Sequence, residues 1–220
     1  MAAVRLIFLG APGTGKGTQA ARLSSRFGIT AISSGDALRD EIERRTPLGQ
    51  QVEEYVESGK LVPDDIITEV MLGVVGRIGP AFILDGFPRT VPQAEALEAG
   101  LATLKRPIHA VINFAMDSRD IIRRITNRRI CSNCKKTYNL EFLPPKTPGI
   151  CDACGGKLMQ RADDEESVIA TRLETYTKLT HPLIEYYAQR GLLREIDAAP
   201  PAEQVEAALV KIVAEMDAAA

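Results

Sequence analysis

The sequence predicts an α/β protein in which helices flank a five-stranded parallel sheet that carries two insertions. Short apolar runs alternate with longer helical patterns, and two intervening stretches differ from both in composition. Runs rich in aliphatic and β-branched residues are typical of strands buried on both faces of a parallel sheet. Their alternation with helices predicts a doubly wound architecture. We expect strands at residues 4–9, 29–33, 81–85, 110–114 and 192–196.

Three helical patterns lie between these runs. Residues 18–27 are followed by a glycine, which commonly ends a helix, and residues 64–78 follow a proline. Residues 117–129 open with an acidic turn, which is favourable at a helix N-terminus. Each segment is therefore predicted to form a helix that connects strands.

The two insertions differ from each other. The first contains two short amphipathic helical patterns that are broken at residues 46–49. The second contains all four cysteines, several glycines and prolines, and little helical periodicity, so we expect a small, separate β-rich lobe. The predicted division is a core formed by residues 1–32, 63–126 and 165–220, a helical insertion at residues 33–62, and a cysteine lobe at residues 127–164.

The composition excludes several classes of partner. The 220 residues have a net charge of −2, which gives no long-range basic field for nucleic acid, and 5% aromatic residues are too few for a base-stacking platform. No apolar stretch approaches the roughly 20 residues of a membrane-spanning helix. The first apolar run passes directly into a glycine-rich loop, without a spacer typical of signal cleavage. We therefore expect a cytoplasmic protein with no nucleic-acid or membrane partner.

This glycine-rich loop joins the first predicted strand to the first predicted helix. Residues 10–18 read Gly-Ala-Pro-Gly-Thr-Gly-Lys-Gly-Thr. Such a loop can turn backbone N–H groups toward phosphate oxygens, and the lysine adds a full charge at the β and γ phosphates of a nucleotide. A turn without a ligand is the alternative, but it needs neither four glycines in eight residues nor the lysine. The predicted phosphate-binding residues are Gly13, Thr14, Gly15, Lys16, Gly17 and Thr18.

One position departs from the usual phosphate-loop pattern. Gly17 follows the lysine where a Ser or Thr hydroxyl normally binds Mg²⁺, and the hydroxyl comes one residue later, at Thr18. We expect Mg²⁺ to be held mainly by phosphate oxygens and water, with Asp85 as an outer-sphere anchor. Asp85 ends a predicted buried strand, where a carboxylate is rare unless it faces a cation or a basic partner.

The four cysteines form two pairs with the spacing of a tetrahedral metal site. Two residues separate Cys131 from Cys134, two separate Cys151 from Cys154, and sixteen lie between the pairs. This spacing predicts Zn²⁺, and four thiolates leave no open position for a substrate, so the metal is expected to be structural. Two disulfides or an iron–sulfur cluster are the alternatives. A cytoplasmic setting disfavours the first and the symmetric spacing disfavours the second.

Several motifs, taken in order, resemble those of one family. The chain is similar to adenylate kinases in residues 10–19, in Ile-Ser-Ser-Gly-Asp-Ala-Leu-Arg at 32–39, in Asp-Gly-Phe-Pro-Arg at 85–89, in Arg-Ala-Asp-Asp-Glu-Glu at 161–166, and in Arg172 and residues 182–187. The match runs along nearly the whole chain. It implies a monomeric P-loop kinase that reversibly transfers the γ-phosphoryl of ATP to AMP with Mg²⁺, forming two ADP. The first insertion would then bind AMP, and the cysteine lobe would be the lid.

The resemblance also implies roles for individual residues. The catalytic set is Lys16, Asp85, Arg89, Arg124, Arg128, Arg161 and Arg172. ATP would contact the glycine-rich loop together with Arg128, Thr137, Tyr138 and Pro200. AMP would contact Ser34, Arg39, Lys60, Leu61, Val62, Gly86, Arg89, Gln93, Arg161 and Arg172. Phosphoryl transfer through a loose transition state needs positive charge and positioning more than a base, which suits a set of arginines.

Some interpretations stay open. The spacing of Arg124 and Arg128 predicts that they share one helix face. Asp163 and Asp164 would either pair with arginines to anchor the lobe or form an acidic turn at a helix N-terminus.

Two other functions are alternatives. One is a nucleoside monophosphate kinase for UMP, CMP or GMP, although the long cysteine lobe argues against the short-lid UMP/CMP type. The other is a zinc-ribbon protein that binds nucleic acid. Its basic residues would be Arg128, Arg129, Lys135 and Lys136, which are few and lack interleaved stacking aromatics.

Overall fold

The computed structural model describes residues 3–218. Within that range the strands are Arg5–Leu9 (β1), Thr30–Ser33 (β2), Phe82–Asp85 (β3), Ala110–Ala115 (β4), Arg128–Cys131 (β5), Thr137–Asn139 (β6), Leu158–Met159 (β7) and Leu193–Asp197 (β8). Five of them form a parallel sheet in the order β2-β3-β1-β4-β8, and β6-β5-β7 form a small antiparallel sheet. The predicted five-stranded parallel sheet is confirmed, with each strand within one residue of its predicted bounds.

Helices surround the parallel sheet. They are Lys16–Phe27 (α1), Ser34–Glu43 (α2), Pro47–Ser58 (α3), Asp64–Arg77 (α4), Val91–Thr103 (α5), Ser118–Thr126 (α6), Glu166–Thr175 (α7), Pro182–Gln189 (α8) and Ala202–Ala218 (α9). A 3₁₀ turn at Ala162–Asp164 precedes α7, and a π-helical turn at Tyr176–Thr180 follows it. Across residues 3–218, no helix combines the length and the apolar character needed to span a bilayer.

The parallel sheet has a hydrophobic cluster on each face. Successive residues of β1 divide between them: Ile7 and Leu9 belong to one cluster, and Leu6 and Phe8 belong to the other. Side chains of a strand point alternately to the two faces, so a strand covered on both sides is apolar at every position. For this reason the strands are visible in the sequence as continuous apolar runs.

The helix expected at residues 117–129 is shorter than predicted. α6 ends at Thr126, Asn127 caps it, and the chain continues directly into β5. Arg128, the first residue of β5, pairs with β6 in an antiparallel ladder. The expectation that Arg124 and Arg128 share a helix face is therefore wrong. Strand pairing, which brings together residues apart in sequence, overrides the local helical pattern here.

The cysteine lobe has very little apolar core. Within the described residues, its buried cluster consists of Cys131, Tyr138, Cys151 and Leu158. Phe142, another large apolar residue of the lobe, is 50% exposed. A lobe in which half of the buried cluster is cysteine needs a source of stability other than apolar packing.

The parallel sheet brings several loops together at one edge. All five strands run in the same direction, so their carboxyl ends lie side by side. The glycine-rich loop follows β1, Ser34 follows β2, Gly86 follows β3 and Ala198 follows β8. β1 is central, with β2 and β3 on one side and β4 and β8 on the other. Open α/β sheets bind ligands at such a point, where the strand order reverses.

Candidate active site

A cleft of about 1180 Å³ lies at this edge of the sheet. Every residue predicted for the nucleotide sites lines it, from Gly13 in the glycine-rich loop to Pro200 ahead of α9. The glycine-rich loop, α2, the segment after β3 and the cysteine lobe all contribute to its walls. Pockets for one drug-sized ligand usually measure about 300–1,000 Å³, so this cleft exceeds the usual size for a single such ligand.

The glycine-rich loop presents the N-terminus of α1 to the cleft. Gly15 is the N-cap residue and has φ 92°, a left-handed conformation that strains any residue with a side chain. Among residues 3–218, no side chain caps the first turn of α1, and that turn contains no acidic residue. Its N–H groups and its partial positive charge are therefore left for an anion.

Lys16 lies in the same loop and is partly buried. Its ammonium donates hydrogen bonds to the carbonyls of Gly10, at 2.8 Å, and Ala11, at 2.7 Å. Burial lowers the pKa of Lys16 to about 8, against an opposing effect of Asp85, and nearby arginines add to the lowering. A phosphate group in the cleft would supply the negative charge that this lysine needs to stay protonated.

Asp85 approaches the loop at the position where it departs from the usual pattern. A Cβ atom on Gly17 would lie 3.2 Å from Oδ2 of Asp85. A side chain there would require this carboxylate to shift by a few tenths of an ångström, whereas glycine leaves it in place. Burial raises the pKa of Asp85, and Lys16 opposes that rise. A carboxylate in this position is stabilised by any cation in the cleft.

Two buried acids hold three arginines near the loop. The carboxylate of Asp164 accepts two hydrogen bonds from Arg128 and one, at 3.2 Å, from Arg172. Oδ2 of Asp163 lies 3.1 Å from Nη1 of Arg172 and 3.5 Å from Nη1 of Arg39. Both acids belong to the 3₁₀ turn before α7 and pair with arginines, which is the first of the two interpretations of the sequence. The guanidinium groups are thus positioned by the protein itself.

Asp36 joins two of the predicted arginines and was not identified from the sequence. Its Oδ1 accepts hydrogen bonds from Arg39, at 2.6 Å, and from Arg161, at 3.3 Å. Burial opposes its ionisation, but the charges of Arg39 and Arg161 hold the pKa of Asp36 below its ordinary value. The only available signal was its spacing of three residues from Arg39 in a helix.

Arg161 lines the cleft with an unused hydrogen-bond donor. Its Nε is buried and has no hydrogen-bond partner among the described residues. Burial, together with the positive charges of Arg39 and Arg128, lowers the pKa of Arg161 to about 10. A buried guanidinium with a spare N–H and two cationic neighbours is suited to bind a phosphate oxygen.

Arg89 is oriented by the turn after β3. Its Nε donates to the carbonyl of Gly86 at 2.7 Å, and the hydroxyl of Ser34 donates to the same carbonyl at 2.6 Å. The hydroxyl of Thr180 donates to the carbonyl of Arg89 at 2.9 Å. Burial lowers the pKa of Arg89, and Asp85 opposes this effect. The Gly86 carbonyl thus orients the guanidinium itself, while Ser34 and Thr180 hold the backbone carbonyls of Gly86 and Arg89.

Gln93, in the first turn of α5, is held at both ends of its amide. Oε1 accepts a hydrogen bond from the backbone N–H of Arg89 at 2.7 Å. Nε2 donates to Oδ1 of Asp64 at 2.7 Å. The side chain is almost fully buried yet lines the cleft. Asp64 carried no recognised signal in the sequence.

Arg124 lies in the cleft but is held differently from the other arginines. It donates to the carbonyls of Ala198, at 2.9 Å, and Ala199, at 2.8 Å, instead of pairing with Asp163 or Asp164. Its guanidinium also lies 5.2 Å from the centre of the Phe142 ring. Arg124 therefore joins the segment before Pro200 to the cysteine lobe.

The metal-site prediction fits the geometry of the cysteines. The four sulfurs lie within 4.8 Å of one another, and the Cys131–Cys154 and Cys134–Cys151 pairs are each 3.5 Å apart. A tetrahedral site with Zn–S bonds of about 2.3 Å requires sulfurs about 3.8 Å apart. The cysteines are free, and their separation is far longer than the roughly 2.05 Å of a disulfide bond.

Neighbouring groups support this sulfur cluster. A Cβ atom on Gly156 would lie 2.9 Å from Sγ of Cys131, so only glycine leaves room for the sulfur. The hydroxyl of Tyr138 lies 3.3 Å from Sγ of Cys151 and accepts a hydrogen bond from the N–H of Asp152 at 2.8 Å. The hydroxyl of Tyr138, a predicted ATP contact, is thus engaged inside the lobe.

Comparison with known proteins agrees with this geometry. The adenylate kinase family model matches residues 8–192. The adenylate kinase of Caldicellulosiruptor saccharolyticus is 50% identical over 192 residues, which cover 86% of this chain and 89% of that protein. The adenylate kinase of Geobacillus sp. is 48% identical over 208 residues, 92% of this chain and 94% of the relative. That of Carboxydothermus hydrogenoformans is 44% identical over 208 residues, 94% and 97% of the two chains. The chain therefore belongs to the adenylate kinase family.

Proposed function

We propose that the protein catalyses the reversible, Mg²⁺-dependent transfer of the γ-phosphoryl group from ATP to AMP, which gives two ADP. The observation that supports this most directly is the single cleft in which the loop after β1 and the polar groups after β2 and β3 face each other. The volume of the cleft, the family and the supply of arginines all agree with two nucleotides bound side by side.

The triphosphate would bind at the glycine-rich loop. The N–H groups of residues 13–18 surround its phosphates, and Lys16 neutralises the β and γ phosphates. Arg128, Thr137, Tyr138 and Pro200 line the same part of the proposed site. Mg²⁺ bound together with ATP would neutralise part of the charge of the phosphates. Asp85 would anchor its water shell, and Gly17 leaves room for that carboxylate.

AMP would bind on the side of α2 and α5. Arg39 and Arg89 grip its phosphate, and Gln93 reads the adenine edge. Ser34 and Gly86 shape the turn beside Arg89, and residues 60–62 supply backbone contacts.

The chain's role in the transfer step is positioning and charge neutralisation. An oxygen of the AMP phosphate forms a bond to the γ-phosphorus while the bond from that phosphorus to the β–γ bridging oxygen breaks, so ADP forms on both sides. The attacking oxygen is already ionised, and no base is needed. Arg161 and Arg172 would stabilise the charge on the transferring group, held in place by Asp36, Asp163 and Asp164.

We infer that residues 33–62 and 127–164 act as two covers on the core. Closing both over the nucleotides would exclude water, so that transfer prevails over hydrolysis. The four cysteines would hold a structural Zn²⁺ that substitutes for the missing apolar core of the lobe. A monomeric state and a cytoplasmic location stay predictions from the sequence.

A coupled assay with a panel of acceptors tests the proposal. AMP, GMP, CMP, UMP and IMP are each supplied with ATP and then with GTP as donor, and nucleoside diphosphate formation is followed. We expect kcat/KM to be highest for the pair ATP and AMP. Preference for another monophosphate would transfer the assignment to a different nucleoside monophosphate kinase. Absence of transfer to every acceptor would overturn the proposal itself.

A further inference from the structure

The N-terminal turns of α4 and α5 meet beside the proposed AMP site. Asp64 is the first residue of α4, and Thr90 is the N-cap of α5. Oδ2 of Asp64 accepts a hydrogen bond from the hydroxyl of Thr90 at 2.8 Å, while Oδ1 accepts one from Nε2 of Gln93 at 2.7 Å. The hydroxyl of Thr90 in turn accepts from the N–H of Gln93 at 3.2 Å. The carboxylate of Asp64 thus binds both the N-cap hydroxyl of Thr90 and the side-chain amide of Gln93.

These contacts fix the orientation of the Gln93 amide, because they determine which position its oxygen takes and which its nitrogen takes. The carboxylate of Asp64 can only accept hydrogen bonds, and the backbone N–H of Arg89 can only donate one. Rotating the amide by half a turn would set Nε2 against the N–H of Arg89 and Oε1 against the carboxylate. Both contacts would become repulsive. A glutamine held only by water or by hydroxyl groups would have no such preference.

The fixed amide still has capacity to bind a ligand. Nε2 carries a second hydrogen and Oε1 a second lone pair, so the side chain can offer one donor and one acceptor in a set order. Adenine presents an acceptor at N1 beside a donor at its 6-amino group. Hypoxanthine and guanine present the reverse, a donor at N1 beside an acceptor at O6. An amide with its donor and acceptor fixed in one order therefore matches either the 6-aminopurine or the 6-oxopurines, and opposes the other class.

We propose that Asp64 is a positioning residue that determines specificity for a 6-aminopurine monophosphate over a 6-oxopurine monophosphate. This inference rests on the proposed function, since Gln93 must face the acceptor base. Asp64 acts through Gln93 and Thr90, from behind the amide. Among the described residues, removing its carboxylate leaves the N–H of Arg89 to distinguish the two amide orientations, so the reversed amide becomes accessible to IMP.

The chain offers a matched control for Asp64. Asp65 is the next residue, lies in the same first turn of α4 and is exposed. Both carboxylates favour the helix N-terminus by their charge, so Asp65→Ala reproduces the loss of that charge. Asp64→Asn provides the complementary test. Its amide can turn either to accept from Gln93 or to donate to it, so a hydrogen bond survives while the acceptor-only character of the carboxylate is lost.

The experiment measures kcat and KM for AMP and for IMP with the full chain at saturating ATP. For Asp64→Ala we expect the ratio of kcat/KM for AMP to that for IMP to fall at least about tenfold, mainly through a higher KM for AMP. Asp65→Ala should keep the ratio of the wild type, whereas Asp64→Asn should also lower it, because its amide is compatible with both orientations of Gln93. Should Asp64→Ala fail to fold, Asp64→Ser gives the same readout, because its hydroxyl is too short to reach Gln93.

Two results would overturn the inference. The first is a wild-type ratio retained in folded Asp64→Ala. The second is a wild-type ratio retained in folded Asp64→Asn, which would mean that an acceptor-only partner is not what sets the orientation of the amide. Wild-type protein that fails to phosphorylate AMP would instead refute the proposed function, so the two failures are distinguishable.

Discussion

The parallel sheet and the cysteine lobe obtain their stability from different sources. The sheet lies between two apolar clusters, and Leu6, Phe82 and Val111 are completely buried. The lobe buries a cluster of four residues, two of them cysteines, and leaves Phe142 half exposed. Apolar burial stabilises by roughly 25 cal/mol per Å², which favours the sheet heavily. The core can therefore keep its shape without a ligand, while we expect the lobe to depend on a metal.

Because of this difference, most of the proposed catalytic residues lie in a region whose stability does not depend on the metal. Lys16, Asp85 and Arg89 belong to the core, next to strands whose packing needs no metal. Arg128 begins the sheet of the lobe and reaches back to Asp164. Damage to the core site should therefore abolish transfer without unfolding the protein, whereas loss of the metal should loosen the lobe first and reduce transfer as a consequence.

The largest effect is expected for Lys16→Ala. Removing the charge that faces the β and γ phosphates should lower kcat/KM by about 10³-fold in the coupled assay. The melting temperature should not fall, because burial disfavours the Lys16 ammonium in the folded protein and its removal relieves that cost. Lys178→Ala removes an exposed lysine paired with Glu174 and serves as the control. Activity within tenfold of the wild type would contradict the role of Lys16.

Removal of the metal should affect the two regions unequally. We expect chelation under reducing conditions to speed hydrogen exchange in β5, β6 and β7, while β1 and β4 stay protected, and to lower the melting temperature. Mass spectrometry of exchange and calorimetry measure the two effects. Cys151→Ser should behave like the metal-free protein. An unchanged melting temperature in metal-free protein with four reduced thiols would show that the lobe does not need the metal.

The pH dependence of nucleotide affinity should reflect Lys16, which belongs to the core and not to the cysteine lobe. Lys16 has its pKa lowered by burial to about 8, so its ammonium is lost as the pH rises through that value. We expect affinity for a non-hydrolysable ATP analogue to be constant below pH 7 and to fall toward tenfold per pH unit above pH 8, as calorimetry can measure. Constant affinity up to pH 9.5 would contradict the assignment.

Lys16 also makes the free energy of unfolding depend on pH, and here the effect has the opposite sign to its effect on nucleotide affinity. The unfolded lysine titrates near its ordinary value of 10.5, so between about 8 and 10.5 the folded protein binds fewer protons than the unfolded chain. The contribution of Lys16 to the free energy of unfolding therefore rises with pH across that window. Loss of binding above pH 8 should occur without loss of fold from this group.

The smallest effect concerns the most exposed of the ion pairs that join the cysteine lobe to α2. Lys135 Nζ lies 2.8 Å from Oε2 of Glu43, and both side chains are more than half exposed. Exposed pairs contribute about 0–1 kcal/mol, so Lys135→Ala should change KM values at most about fivefold. Glu43→Ala should have the same effect, and the double variant no additional one. A larger change would mean that the lobe is held closed mainly by this pair.

Local patterns in the sequence were sufficient for the parallel strands, the glycine-rich loop and the four cysteines. In each case the signal lies within a few adjacent residues, as in the apolar run of β1 or the paired cysteine spacing. The end of α6 was not predictable in this way, because residues 117–129 carry a helical pattern and only pairing with β6 ends it. Element ends that depend on distant partners carry no local signal.

The supporting residues of the site were missed for the same reason. Asp64 contacts Gln93 across 29 positions of sequence, and Arg161 contacts Asp36 across 125. The hydroxyl of Tyr138 reaches Cys151 from another strand of the lobe. A sequence pattern can nominate the residues that face a ligand, whereas their partners emerge only when the chain is folded.

The most direct test of the central claim follows the γ-phosphorus itself. ATP radiolabelled at the γ-phosphate is mixed with AMP, Mg²⁺ and the protein, and the products are separated. We predict that the label enters the β-phosphate of ADP, with almost none released as inorganic phosphate, and that Lys16→Ala shows neither product. Label found mainly as inorganic phosphate, or no labelled ADP from the wild type, would contradict direct transfer between two nucleotides in this cleft.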